Sequence, residues 1–232
     1  MSGEEGTSTP STRPPARAQR RDAVRNRRKL LDAVGEILSR EPHALNMPMV
    51  AERAALSVAT AYRYFPSLED LLTGYMREVV LELRDYSHDC PKTGAALFED
   101  VAIHWVHQLQ LHGPAIIQLR SRKGFLRRLL DNDELIAILR DAWERPIRGV
   151  LRQFGVPDEH FNHALFLYNV LFDPREILDL IDTGLPESEA VNRLIAAFYG
   201  AVQGWAQANI RTGIGAPAGR EDTTDASATN AS

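Results

Sequence analysis

Two histidine pairs, His104 with His107 and His160 with His163, stand three residues apart in stretches of helical character, a spacing that turns two imidazoles toward one helix face. With Glu99 or Glu159, either pair would offer the carboxylate and histidine donors that hold a transition metal in a helical bundle. No paired Glu-x-x-His motif accompanies them. The sequence also has no nucleophile beside a base, no phosphate loop and no complete ligand set, so it indicates no catalytic residue, no metal and no cofactor. A helical metal-dependent enzyme remains the alternative that these histidines support. Arg120, Arg122, Lys123, Arg127 and Arg128 crowd around Gly124 and could accept an anionic effector, but the simpler reading is a solvated turn. Cys90 is the single cysteine, which excludes an intrachain disulfide framework and a four-cysteine zinc site.

The cationic chemistry is concentrated at one end. The net charge is −4, yet residues 13–67 hold 11 Lys/Arg against 5 Asp/Glu, which leaves +6 there and −10 on the remainder. Such a molecule directs a polyanion to its basic end and repels it elsewhere. Arg13, Arg17, Arg20, Arg21, Arg25, Arg27, Arg28 and Lys29 lie close together, with only Asp22 opposing them.

The elements that must position these groups are helical. Leu30, Leu31, Val34, Ile37 and Leu38 recur at helical spacing, and no period-two strand or internal repeat is evident. Pro42, Pro48, Pro66, Pro91, Gly113-Pro114, Gly155 with Pro157, and Gly184 with Pro186 divide the chain into about nine helices. Pro146 and Pro174 fall inside helical patterns, where each predicts a kink or a break. The fold class is therefore all-α: a small N-terminal three-helix unit and a larger helical domain. Residues 1–21 and 212–232, rich in small and polar residues, are expected to be a disordered basic arm and a disordered tail. No run of apolar residues approaches membrane-spanning length and no secretory leader is evident, so a soluble cytoplasmic protein without a membrane partner is expected.

Within the first unit, residues 46–64 have a specific shape. Asn46 is placed to cap a short helix with Pro48 in its first turn, and Val50, Ala51 and Ala54 face inward. Ala55-Leu56-Ser57 then forms a tight turn in which Ser57 can cap a second short helix, Val58 to Tyr64. Small residues at Ala51, Ala54 and Ala55 let the helices cross closely. Two short helices at a tight turn make a helix-turn-helix, whose second helix leads with the N–H groups and dipole that suit a phosphate.

The run MVAERAALSVATAYRYFPSLEDLL resembles the DNA-binding signature of the TetR family of repressors over about residues 25–75. The resemblance implies a transcriptional regulator and not an enzyme: residues 22–67 binding a double-stranded, palindromic operator, and residues 68–211 binding a small-molecule effector and forming a homodimer. It implies that Ser57, Thr60, Tyr62 and Tyr64 touch phosphates or the groove edge. Val58, Ala59 and Arg63 lie on or beside the base-reading face, and Phe65 packs in the core. Asn46, Arg20 and Arg21 complete the expected DNA contacts. Three residues depart from the family pattern. Leu68 replaces a phosphate-binding lysine, Pro48 occupies a position some relatives use on a base, and Ala55 replaces a turn glycine, so that the turn either avoids a positive φ or bears modest strain. Ser67 and Asp70 form a Ser-x-x-Asp box whose backbone N–H groups could still face phosphate. A protein-interaction module that has lost DNA binding is the second alternative.

In the larger domain, Phe98, Trp105, Phe125 and Trp143 are the candidate effector contacts, with Phe154 beside them. The last two long helices, about 158–182 and 187–210, are the expected dimer interface by analogy with the family. Leu194, Phe198, Val202 and Trp205 are its candidate contacts, with Ile195 on the same stripe and Gly200 and Gly204 on an adjoining face.

Overall fold

The computed structural model describes residues 16–41, 45–118 and 124–212. Among these residues there are helices and no strands. The order is α1 (Ala16–Leu38), α2 (Met47–Arg53), α3 (Val58–Tyr64), α4 (Leu68–Asp89), α5 (Gly94–Gln118), α6 (Phe125–Leu130), α7 (Glu134–Gln153), a 3-10 turn (Asp158–His160), α8 (Phe161–Leu171), α9 (Pro174–Asp182) and α10 (Glu187–Thr212). No described helix is long and apolar enough to cross a membrane.

Two cores follow from the pattern of apolar residues. The stripe of α1 (Leu30, Leu31, Val34, Ile37 and Leu38) is buried with Met47, Val50, Ala51 and Ala54 around α2, and with Ala61 and Phe65 at α3. The second core joins α5, α7, α8 and α10 around stacked aromatics: Phe98 lies 4.6 Å from Phe198, and Trp143 lies 3.9 Å from Tyr168. α4 belongs to both. Leu71, Leu72, Tyr75, Met76, Val79 and Val80 enter the first core and Leu83 enters the second; Ala115 of α5 is also buried in the first core and Leu135 and Ile138 of α7 pack against it, so α4, α5 and α7 together join the N-terminal unit to the body.

Helix ends are closed by local chemistry. The turns at Ala55, Asn132, Gly155 and Gly184 all have positive φ, and each closes the preceding helix with a paired 5→2 and 6→1 hydrogen-bond pattern. At the α4–α5 link, the Arg145 guanidinium of α7 donates to the carbonyls of Ser87, His88, Cys90 and Lys92 at 2.7–3.1 Å. One side chain thereby satisfies two orphan carbonyls of the last turn of α4 and two of the link that follows. Beside it Gly149 lets α7 approach the start of α5, since a Cβ there would lie 3.0 Å from the Gly94 backbone.

Three expectations about the helices are corrected. The arm expected to be disordered through residue 21 is helical from Ala16, because no proline separates Ala16 from Leu38 once Pro14-Pro15 is passed and Gly35 falls near the end of the helix. Arg13 lies outside the described residues. The break expected at Gly113-Pro114 does not occur: α5 runs through both residues. The helix expected over 158–182 is divided after Leu171, with Asp173 capping α9 and Pro174 in its first turn. Pro146, by contrast, stays within α7.

Candidate nucleic-acid interface

The α2–α3 unit is organised by its caps. Asn46 Oδ1 accepts from the Met49 N–H at 3.0 Å, and Ser57 Oγ accepts from the Thr60 N–H at 3.1 Å. The Ser57 and Thr60 hydroxyls are themselves joined at 2.8 Å, so both are oriented before any ligand arrives. Between the helices Ala55 has φ +56°, while the Ala55 N–H donates to Glu52 O and the Leu56 N–H to Ala51 O. The turn thus keeps the left-handed geometry a glycine would provide and accepts the strain. Ala55→Gly is expected to stabilise the fold by about 0.5–1 kcal/mol, the relief of the left-handed alanine less the added freedom of the unfolded chain. A thermal melt should show a gain of roughly 1–4 °C.

α3 is held from behind. Ala61 is fully buried, and Phe65 packs under the Arg27 guanidinium, 5.2 Å from the ring centroid. Gly74 of α4 makes room for that ring: a Cβ there would lie 2.9 Å from Phe65. Arg53 pairs with Glu36 at 3.0 Å and fixes the end of α2 to α1. With one side committed to packing, α3 turns Ser57, Val58, Ala59, Tyr62 and Arg63 to solvent, with Thr60 and Tyr64 half-buried. Tyr62 is 47% exposed, more than an aromatic in a packing role would be. The Arg63 guanidinium rests over the Tyr64 ring at 5.4 Å. The structure therefore brings the predicted α3 residues onto one short, exposed surface. Asn46 is exposed at the start of α2, and Arg20 and Arg21 are exposed on the first turns of α1.

Nearby charge narrows the alternatives. Arg25 pairs with Asp22 at 3.0 Å, Arg28 with Asp32 at 2.8 Å, and Arg27 lies 3.8 Å from Glu78, so part of the basic entry to α1 is internally balanced. At the start of α4, Ser67 Oγ accepts from the Asp70 N–H and donates to the Asp70 carboxylate at 2.7 Å. That carboxylate occupies the end of the helix with negative charge, which disfavours a phosphate there.

The candidate effector and dimer residues divide. Phe98 and Trp143 are fully buried 5.6 Å apart, Trp105 is buried, and Phe125 is half-buried on α6. Phe198 and Val202 are also fully buried, within their own chain. Phe198 is stacked on Phe98, which leaves it no surface for a partner. Leu194 and Trp205 are half-buried against the same core. The helical stripe was legible, but periodicity does not tell whether an apolar face meets its own core or a second copy. The exposed large apolar residues of this region are instead Phe166 and Val170 of α8 and Leu180 of α9. As for the histidines, His104 stacks on Tyr86, His107 lies 3.9 Å from Glu187, and the His160 and His163 rings are 6.4 Å apart. Among the described residues no three potential ligands gather around a metal position. Arg127 and Arg128 pair with Asp131 and Asp133, while Arg120, Arg122 and Lys123 lie outside the described residues.

Residues 30–74, covering this interface and its supporting helices, match the bacterial regulatory proteins of the tetR family. No curated protein matches the chain. A tetR-family transcriptional regulator from Streptomyces coelicolor is similar in fold, with a TM-score of 0.56 and 20% identity over 80% of this chain and 89% of that one. AmtR of Mycobacterium smegmatis aligns with a TM-score of 0.42 and 18% identity over 82% of this chain and 96% of that one. The tetR-family match therefore falls on the exposed α3 and the helices that support it, and the fold over most of the chain is similar to that of a tetR-family regulator.

Proposed function

We propose that the protein is a cytoplasmic homodimeric repressor that holds a palindromic operator through one α3 per half-site and leaves it when a small-molecule effector binds the body. The observation that carries this reading is α3 itself: its buried side explains Ala61 and Phe65, whereas Val58, Ala59, Tyr62 and Arg63 are exposed to solvent. Thr60, Ser57 and Tyr64 stand at the edge of that face, where phosphates flank a groove. Arg20 and Arg21 extend the positive surface along α1. The test is a titration of DNA flanking the protein's own gene at several salt concentrations. A sequence-preferring affinity that falls steeply with salt supports the reading, with each neutralised phosphate contributing about 0.9 to the slope of log affinity against log salt. Equal affinity for the flanking and a scrambled fragment would refute it.

For the dimer, support comes from outer faces that are exposed among the described residues. Phe166 and Val170 of α8 are 41% and 53% exposed, and the adjoining α10 exposes Ala196, Ala197, Gly200 and Gly204. Among the described residues nothing lies within 4 Å of a Cβ built at Gly200 or Gly204, so no contact there demands glycine. Two copies of α8 and α10 can pack closely across these faces, and a two-fold axis would present both α3 helices to one side of the duplex. Phe166→Glu is expected to convert the dimer to monomer in sedimentation without loss of helicity; an unchanged dimer would place the interface elsewhere.

A further inference from the structure

One side of α5 presents a polar residue every turn: Asp100, His104, Gln108 and His112. This row faces α4. Tyr86 of α4 donates to Asp100 at 2.8 Å and stacks on His104, with ring centroids 3.9 Å apart and planes within 6°. At the other end the Tyr75 hydroxyl and His112 Nδ1 share a 2.6 Å hydrogen bond. The ends of the seam are therefore satisfied. The middle is not. Gln108 is 2% exposed, and among the described residues neither its Oε1 nor its Nε2 has a partner; His104 Nε2, one turn away, is also buried without one there. The buried α4 residues between Tyr75 and Tyr86 include Val79, Val80 and Leu83, whose side chains cannot supply a hydrogen bond. Trp105, three residues before Gln108, adds a further buried, unpartnered indole N–H.

Each such orphan costs about 1–3 kcal/mol relative to a satisfied or apolar group, and buried polar atoms without partners call for a specific reason. The cost also has a mechanical side: parting α4 from α5 at this point exposes the orphans to hydrogen-bonding partners, so the seam is weakest where Gln108 sits. We propose that Gln108, with His104 Nε2 and the Trp105 indole, is the hydrogen-bonding site of the effector, and that it takes an uncharged small molecule with a donor and an acceptor side by side, as in a primary carboxamide. This inference rests on the effector reading above and adds the site and the ligand's chemistry to it. The Gln108 amide is the complement of such a group, offering one acceptor and one donor in a plane. Charge argues against the alternatives. Burial lowers the pKa of both His104 and His112, so neither supplies a cation at neutral pH. Glu82 of α4 acts on both imidazoles and Asp100 ends the row, so an anion meets two carboxylates. A cation finds Asp100 already engaged by Lys92, Tyr86 and Cys90. Because α4 runs on into the α2–α3 unit, a ligand that separates it from α5 acts on the helix that carries the DNA-binding surface.

Benzamide is the probe, with benzoate and benzylamine as charged counterparts of the same size. In the full-length protein, millimolar benzamide should shift the Gln108 side-chain amide and Trp105 indole resonances and raise the melting temperature. Gln108→Leu, which removes the orphan atoms at similar volume, should melt at or above the wild type and bind benzamide at least about tenfold more weakly, the loss of roughly one hydrogen-bonded contact. His104→Phe keeps a ring against Tyr86, lacks the nitrogen, and should weaken benzamide likewise. Three results would overturn the proposal: equal benzamide binding by wild type and both variants, tighter binding of benzoate or benzylamine than of benzamide, or a Gln108→Leu protein clearly less stable than the wild type. Binding is read without DNA, so a chain that takes benzamide at Gln108 but shows no operator preference upholds this site while removing the repressor reading.

Discussion

Arg145→Met is expected to destabilise the protein by about 3 kcal/mol, seen as a fall of roughly 6–12 °C in a thermal melt. The guanidinium donates to four carbonyls at the end of α4 and the start of the following link, and no other side chain is bonded to those four groups among the described residues. Hydrogen bonds to a charged donor contribute about 1.5–3 kcal/mol each, but they do not add here. His88 and Lys92 are exposed and water can replace the arginine at their carbonyls, whereas Ser87 and Cys90 are buried and their carbonyls cannot be rehydrated without opening the link. Methionine preserves much of the side-chain volume, so the loss reports the hydrogen bonds and not a cavity. Arg145→Lys should fall between the two, because an ammonium is a point donor and cannot span the same four acceptors. Urea unfolding with an unchanged midpoint in Arg145→Met would show that the link is held by packing alone, with Gly149 against Gly94 as its main contact.

The second large effect concerns DNA. Arg63→Ala should weaken operator binding about tenfold to a hundredfold, the range of about 1–3 kcal/mol that a bidentate arginine contributes against a guanine. Stability should be unchanged within about 0.5 kcal/mol, since Arg63 is exposed and its neighbour Tyr64 is secured by the α3 backbone. Arg63→Lys separates the two ways an arginine can act. A lysine keeps the charge and loses the planar fork, so a base contact predicts retained non-specific affinity with lost discrimination at one operator position. If Arg63→Lys discriminates as the wild type does, the residue holds a phosphate and the selectivity comes from Val58, Ala59 and the groove edge.

Most of the DNA-binding unit was legible because its elements are short and punctuated by residues with local chemistry. Asn46, Ser57 and Ser67 cap the three helices that their positions predict. Ala55 left two conformations open, and only the backbone shows that the left-handed one is adopted. The arm was misjudged because a run of arginines is compatible with helix as well as with disorder, and composition alone does not choose between them. Gly113-Pro114 reads as a boundary because a proline removes a backbone donor, yet α5 is continuous there, with Gly113 closed against Leu178 of α9. In the body the limits were of another kind. Phe198 and Phe166 are both aromatics on helices that pack together, and the distinction between a residue buried in its own chain and one left for a partner lies in three-dimensional neighbours. Gln108 is hidden from sequence reasoning for the same reason. Its place in an i,i+4 polar row was present in the sequence, but that the row faces α4 and leaves the amide unpaired is a property of the packing.

The clamp at Arg145 also fixes a fulcrum. α4 has 22 residues, a rod of about 33 Å, held at its far end by Arg145 and joined at its near end to the α2–α3 unit that is proposed to meet the duplex. A tilt of about 5° around that anchor displaces the near end by about 3 Å. In a two-fold assembly the displacement occurs twice, changing the separation of the recognition helices by up to about 6 Å against a groove repeat of about 34 Å. The reach of this lever is set by helix length alone, so an adjustment at the α4–α5 seam too small to disturb either core is still large on the scale of a base pair.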